Sequence, residues 1–225
     1  EAVSELLRGE VFHALDVTTD WAWGFCGHDG YVGYIRRDAL DVEEQPTHRV
    51  TALTAPLFSA PDIKSPIADY WPLGARFTGE HCGDFIACGD GFVHLRHAAP
   101  LTESTADWVS LAERHLGKPY VWGGRGHRGI DCSGLVQVAL GRAGLSVPRD
   151  TDLQSEGIGT PIESDAGLKR GDLIFFPGHV GIMVDSEHLL HANAGFMDVT
   201  LELFSEAEAR IREKENPVRT IVRPL

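Results

Sequence analysis

The stretch Gly129-Ile130-Asp131-Cys132-Ser133-Gly134-Leu135 decides how the second half of this chain is read. A glycine-containing loop gives way there to an apolar run (Leu135, Val136, Val138, Ala139, Leu140) that Gly144 closes. The pattern predicts a helix over residues 133–143 with a cysteine at its N-terminal edge. A thiol so placed faces backbone N–H groups and the positive end of the helix dipole, and both favour the reactive thiolate. The same N–H groups can stabilise a negative oxygen on a carbonyl under attack. Position alone does not separate this reading from the commoner fate of a cysteine, which is burial as a small apolar residue.

A nucleophile needs a base. His179 follows Phe176-Pro177-Gly178 and leads the apolar run His179-Val-Gly-Ile-Met-Val184, so it is expected at a strand end. His191 closes the next run, His188-Leu-Leu-His191, after a turn around Asp185-Ser186-Glu187. Neighbouring antiparallel strands would bring the two imidazoles together, with His191 bonding the far nitrogen of His179 and fixing its tautomer. Upstream, Tyr120-Val121-Trp122-Gly123-Gly124 offers a backbone that can approach a substrate closely and a Tyr120 hydroxyl that can donate at an oxyanion. Trp122 itself reads better as an aromatic core anchor. His188 with His191, and His94 with His97, invite a metal reading, but strand positions three apart point to opposite faces. No metal and no cofactor are expected.

Around these residues, Asp107 to Leu116 carries Trp108, Leu111, Ala112 and His115 at helical spacing, with Gly117 and Pro119 as the stop. Strand runs follow at 172–176, 179–184, 188–191 and 218–222. Helices first and antiparallel strands later is the α+β order. The first hundred residues have a different texture, with short apolar runs at 10–15, 21–25 and 31–35 broken by Gly, Pro and Asp. Gly9…Phe12…Cys26…Asp29-Gly30-Tyr31-Val32 is echoed by Gly74…Phe77…Cys88…Asp90-Gly91-Phe92-Val93. Each Asp-Gly joins two strand-like runs as a hairpin turn would. Two small tandem barrels over 1–45 and 46–101, joined by a linker from Asp41 to about Thr47, are expected ahead of a domain over 102–225.

Composition restricts partners. The 225 residues carry 33 acidic against 20 basic side chains, a formal charge of −13. That sign repels phosphate backbones and anionic lipid, so neither nucleic acid nor membrane is an expected partner, and a substrate with a free amine suits the field better. No obligate protein partner is evident. Cys26, Cys82, Cys88 and Cys132 show no CxxC spacing, which fits free thiols in a reducing compartment. The chain opens Glu-Ala-Val with no basic-then-apolar leader and no Met. The expectation is a cytoplasmic protein, or a periplasmic or extracellular one if an upstream segment has been removed.

Tyr120-x-Trp122-Gly-Gly, Asp131-Cys132-Ser133-Gly134, Gly171-Asp172-Leu173, Gly178-His179-Val180-Gly181 and His191-Ala192 stand in the order and spacing of the NlpC/P60 cell-wall peptidases, which the chain resembles over about residues 103 to 223. The resemblance implies a papain-like catalytic domain acting on amide bonds of peptidoglycan stem peptides. It makes Cys132 the nucleophile, His179 the base and His191 the orienting residue. Tyr120 would stand at the oxyanion pocket, and Asp131 and Ser133 in the substrate groove. Pro148-Arg149-Asp150-Thr151-Asp152-Leu153-Gln154 is similar to a segment of the subgroup that cleaves γ-D-glutamyl–L-diamino acid bonds, where Asp and its hydroxyl neighbour hold the free amine of an N-terminal L-alanine. By itself Asp150-Thr151 also reads as a helix start. The resemblance places Arg149, Asp150 and Thr151 among the substrate-binding residues. The front half resembles the paired SH3-like (SH3b) domains of this subgroup, in which the barrel segment corresponding to Asp29–Tyr34 lends a Tyr, here Tyr31, to the groove wall. The implied activity is a γ-D-glutamyl–L-diamino acid endopeptidase working in wall-peptide recycling or turnover. The alternative is a papain-like acyltransferase or amidase with the same dyad.

Overall fold

Short alternating runs in the first half and continuous apolar runs in the second produce two units of different construction. The structure, a computed structural model, describes residues 2–42, 45–163, 167–214 and 216–224. One unit is Leu6–Ser104; the other is Thr105–Leu225 together with the segment ending at Glu5.

In the N-terminal unit, β1 (Phe12–Val17), β2 (Trp21–Cys26) and β3 (Val32–Arg36) form an antiparallel sheet in that order. The expected Asp29-Gly30 turn joins β2 to β3, with Gly30 at φ +73° and the Tyr31 N–H donating to Asp29 Oδ1 at 3.0 Å. Next come β4 (His48–Val50), β5 (Thr54–Phe58), β6 (Ile67–Pro72), β7 (Arg76–Phe77), β8 (Glu80–Cys82), β9 (Phe85–Cys88), β10 (Gly91–His94) and β11 (Ala98–Pro100). They make a five-stranded sheet, β6-β5-β10-β9-β8, and a three-stranded one, β11-β4-β7. These two sheets share a core that includes Val50, Leu57, Trp71, Phe77, Ile86 and Val93. Among the described residues no strand pairs between the first sheet and the other two. The two echoed hairpins differ in burial: Val93 is fully buried in the second, whereas Trp21 and Tyr34 in the first are exposed. In the linker expected at 41–47, residues 43 and 44 lie outside the described residues.

The C-terminal unit begins with α1 (Trp108–Glu113), whose N-cap Asp107 accepts from the Ser110 N–H at 2.9 Å. α2 (Cys132–Arg142) is buried at every position but Gly141, which is why its apolar residues are spread round the helix instead of forming a stripe. α3 (Thr151–Gly157) follows. The strands β12 (Thr160–Ile162), β13 (Leu173–Phe176), β14 (His179–Met183), β15 (His188–Asn193), β16 (Asp198–Leu203) and β17 (Thr220–Arg223) build one antiparallel sheet, β12-β17-β13-β14-β15-β16. α4 (Phe204–Arg212) leads out of β16. α2 packs on β14 and β15, with α1 against α2, and α4 packs on β15 and β16. Leu173, Ile174, Ile182, Leu189 and Leu190 are wholly buried, each contributing about 1.5–3 kcal/mol of apolar burial.

The helices and strands expected at 107–116, 133–143, 172–176, 179–184, 188–191 and 218–222 are all present, with ends shifted by a few residues. α3 begins at the Asp150-Thr151 start that the sequence also allows. α4, β12 and β16 have no counterpart among the sequence expectations. α4 buries only Ala207 fully, so its charged surface carries little apolar periodicity.

Candidate active site

Residues 117–131 form a strap that delivers Cys132 to the start of α2. The Tyr120 N–H donates to the Met197 carbonyl at 2.9 Å, and the Ile130 N–H to that of Pro119 at 3.0 Å. Asp131 is the N-cap of α2, accepting from the Gly134 N–H at 2.7 Å through Oδ1 and from the Gly123 N–H at 2.8 Å through Oδ2. A side chain at position 134 would bring a Cβ to 2.4 Å from the Gly124 carbonyl oxygen, so strap and helix can close on each other only with glycine there.

The same Asp131 takes a bidentate hydrogen-bonded ion pair from Arg149, at 3.0 and 2.5 Å. Arg149 also donates to Ser133 Oγ at 2.7 Å and to Ser4 Oγ at 3.1 Å. Its side chain is 1% exposed and that of Asp131 7%. Asp131, Ser133 and Arg149, the residues expected in the substrate groove, are thus bonded to one another. Their polar atoms are turned on one another, clamping the N-terminus of α2, because a buried charge must be paired to be tolerated. Asp150 and Thr151 lie beside the clamp, half-buried, Asp150 being the N-cap position of α3 without a side-chain cap bond. Tyr31 belongs to the N-terminal unit and is half-buried just before β3. Trp122, expected in the core, is 59% exposed.

The β13–β14 hairpin positions His179. Pro177 and Gly178 are its two corner residues, with Gly178 at φ +69°, and Phe176 pairs with His179 across it. The β14–β15 ladder pairs Ile182 with Leu190 and Met183 with Leu189 and is not continued toward His179. The Val180 N–H instead reaches the Cys132 sulfur, as does the Ser133 N–H. Cys132 and His179 therefore come from adjoining backbone. Extending the register places His179 diagonal to His191, two residues out of step on the same face, and His179 Nε2 stands 2.8 Å from His191 Nδ1.

Two groups behind this pair escape the sequence reading. His191 Nε2 lies 2.7 Å from Glu202 Oε1, and the same oxygen is held by the Arg210 guanidinium. Glu202 sits on β16, where the alternation Val199, Leu201, Leu203 around Thr200 and Glu202 is the available signal. Arg210 comes from α4, which the sequence does not announce.

Burial decides the electrostatics. It pushes the Cys132 thiol up to about 11, the Asp131 charge adding to it, while the two N–H groups and Arg149 offset only part. The sequence expectation is a helix terminus that favours the thiolate; desolvation outweighs it. Burial, then His191 and Arg210, holds His179 down at about 3. Burial, then the Cys132 and Asp131 charges, raises Tyr120 to about 12, so its hydroxyl stays protonated as a donor. Burial alone would raise Glu202, but the His191 and Arg210 interactions hold it below the usual carboxylate range. Near neutral pH the Cys132 thiol is protonated, the His179 ring is neutral and Glu202 is a carboxylate. Among the described residues no group of three or more His, Cys, Asp or Glu is placed to hold a metal ion, and no helix is long and apolar enough to cross a membrane. His188 bonds Asp185, and His94 caps the 3-10 turn at Leu95–His97.

Comparison with known proteins covers the stretch that holds this geometry. Residues 117–210 match the NlpC/P60 family, and residues 1–40 match the bacterial dipeptidyl-peptidase Sh3 domain. The chain is 34% identical over 116 residues to a gamma-D-glutamyl-L-lysine dipeptidyl-peptidase of Bacillus subtilis, covering 46% of this chain and 38% of that protein. It is 39% identical over 89 residues to a probable endopeptidase p60 of Listeria monocytogenes, covering 37% of this chain and 18% of the relative. The chain thus spans less than half the length of these relatives. A crystal structure of an NlpC/P60 family protein from Bacillus cereus superposes with a TM-score of 0.83 over 99% of this chain and 82% of that one, at 21% identity, a likeness of fold. Residues 117–210 of this chain form an NlpC/P60 domain, and residues 1–40 an SH3 domain of the bacterial dipeptidyl-peptidase kind.

Proposed function

We propose that this chain is a cysteine peptidase that hydrolyses the γ-D-glutamyl–L-diamino acid bond of peptidoglycan-derived peptides bearing a free N-terminal L-alanine. The observation that carries it is the bonded His179–His191 pair, with His179 on the strand whose Val180 N–H reaches the Cys132 sulfur. The likeness to a gamma-D-glutamyl-L-lysine dipeptidyl-peptidase supports the bond chosen. The net charge of −13 and the carboxylate of Asp150 beside Thr151 suit a substrate that presents an ammonium.

In this mechanism the thiol and the imidazole start uncharged. The Cys132 proton passes to His179 as sulfur attacks the γ-carbonyl, and the C–S bond forms as the carbonyl oxygen becomes an oxyanion. The Cys132 N–H, at the first position of α2, and the Tyr120 hydroxyl donate to that oxygen. His179 returns the proton to the departing amine as the C–N bond breaks, leaving a thioester. Water, losing a proton to His179, then attacks the thioester; the carboxylic acid departs and the thiol is restored. The clamp of Asp131 and Arg149 holds α2 still throughout. The setting proposed is the cytoplasm, where such peptides are recycled.

The test is to incubate the full chain with L-Ala-γ-D-Glu-diaminopimelate, its N-acetylated form and intact sacculi, beside Cys132→Ala. Release of L-Ala-D-Glu from the free-amine peptide alone is expected, with Cys132→Ala at least about 10⁴-fold slower. Cleavage of sacculi would move the activity to the wall, and full activity in Cys132→Ala would remove the thiol from the mechanism.

A further inference from the structure

The geometry points to Glu202 as a positioning residue: through His191 it sets the tautomer of His179, leaving His179 Nδ1 as the bare nitrogen that receives the Cys132 proton. This rests on the reading of Cys132 and His179 given above and adds to it which nitrogen acts and why.

The inference follows from hydrogen-bond valence along one line of atoms. A carboxylate can only accept, and Glu202 Oε1 lies 2.7 Å from His191 Nε2, so that nitrogen carries a hydrogen. A neutral imidazole protonated on Nε2 has a lone pair on Nδ1. His191 Nδ1 therefore accepts, and the atom 2.8 Å away, His179 Nε2, must donate. With its Nε2 protonated, neutral His179 has its lone pair on Nδ1. The sheet supplies the alignment: Glu202 pairs with Leu189 and Thr200 with His191, so Glu202 and His191 are diagonal neighbours on one face, as His191 and His179 are. The side chain of His191 is fully buried and that of Glu202 12% exposed, so water competes little for these bonds. Arg210, in the last turn of α4, grips the same carboxylate oxygen and keeps the carboxylate facing the ring.

Glu202→Leu tests this directly because it removes the acceptor that His191 Nε2 needs, whereas Glu202→Gln keeps an oxygen that can accept from both Arg210 and His191. With ¹⁵N-histidine in the full chain, two-bond ¹H–¹⁵N spectra, assigned with His179→Ala, should show His179 protonated on Nε2 in the wild type and in Glu202→Gln, and a mixture of the two tautomers in Glu202→Leu. On L-Ala-γ-D-Glu-diaminopimelate, kcat of Glu202→Leu should fall about tenfold or more with KM within about twofold, since a general base contributes about 10²- to 10⁴-fold and only part of the enzyme then holds it in the active tautomer. Glu202→Gln, which still accepts, should keep the wild-type tautomer and lie between the two in kcat. A wild-type His179 protonated on Nδ1, or a Glu202→Leu enzyme with unchanged tautomer and kcat, would overturn the inference. If the wild type does not cleave the peptide at all, the proposed function fails while the tautomer measurement still decides the role of Glu202. Should Glu202→Leu not fold, the wild-type and Glu202→Gln spectra carry the decision.

Discussion

Two of the carboxylate–arginine pairs in the C-terminal unit look alike on paper and are built for different ends. At the start of α2, Asp131 is saturated: two backbone N–H groups, the Ser133 hydroxyl and both arms of Arg149 converge on its two oxygens, and both side chains of the pair are almost wholly buried. On β16, a single Glu202 oxygen serves both His191 and Arg210, and Arg210 is 35% exposed. The first pair fixes backbone to backbone, so nothing in it can move without breaking α2 from the strap. The second ends on imidazoles, groups that carry a proton on either of two nitrogens. Saturated donors make a clamp, whereas a carboxylate shared with a tautomeric ring makes a relay.

The largest stability effect that separates them is expected at Arg149. Arg149→Ala leaves the Asp131 charge buried with no counter-charge and should cost about 3–5 kcal/mol in urea denaturation of the full chain. The pair Asp131→Asn with Arg149→Met should lose clearly less than the two single changes together, since it leaves no orphaned charge. A cost below about 1 kcal/mol for Arg149→Ala would place it in the class of a surface pair and erase the contrast with Arg210.

Acid sharpens the same contrast, because the relay contains a ring kept neutral by burial and the clamp does not. His179 is held down at about 3, and His115, buried in the turn after α1 with Nδ1 3.1 Å from the Leu111 carbonyl oxygen, at about 4. As pH falls below about 6.5 the unfolded chain protonates these rings while the folded chain does not, so stability is lost over that window. The loss stops only below the folded values. For His115, 1% exposed, the drop from the ordinary 6.5 to about 4 corresponds to about 3 kcal/mol. His115→Leu should flatten the pH dependence of stability, read from the urea midpoint between about pH 6.5 and 4, by about that much. A wild type whose midpoint does not move across this range would contradict neutral burial of both rings.

How much of this is legible in the sequence differs between the two pairs. Asp131, Cys132 and Ser133 announce themselves because a turn and an apolar run meet at one point, and Pro177-Gly178-His179 because hairpin corners leave fixed residue types. Those are local signals with short-range causes. The partnership of Asp131 with Arg149, 18 residues away, is not legible. Sequence shows that a charge exists at Arg149 and not that it faces Asp131. Glu202 and Arg210 escape notice for the related reason that β16 and α4 are half-solvated, with polar residues that in sequence look like any surface. Trp122 goes the other way, an aromatic that reads as core and that the fold leaves exposed. Aromatics in short loops beside glycines have no periodicity to say which side they face.

The smallest effect, and the one that tests the comparison from the other side, belongs to Arg210. Its guanidinium lies over the Phe196 ring, 5.1 Å from the centroid, as well as on Glu202. A partly solvated pair of this kind contributes about 0–1 kcal/mol, so Arg210→Gln should shift the urea midpoint little where Arg149→Ala shifts it far. Its effect on turnover should also be small, because the amide introduced by the substitution can still donate to the carboxylate and Glu202 remains the acceptor that His191 requires. If Arg210→Gln instead unfolds the unit as readily as the loss of Arg149, the relay is a second clamp. Its carboxylate would then be there to hold α4 to β16, with the imidazoles as passengers.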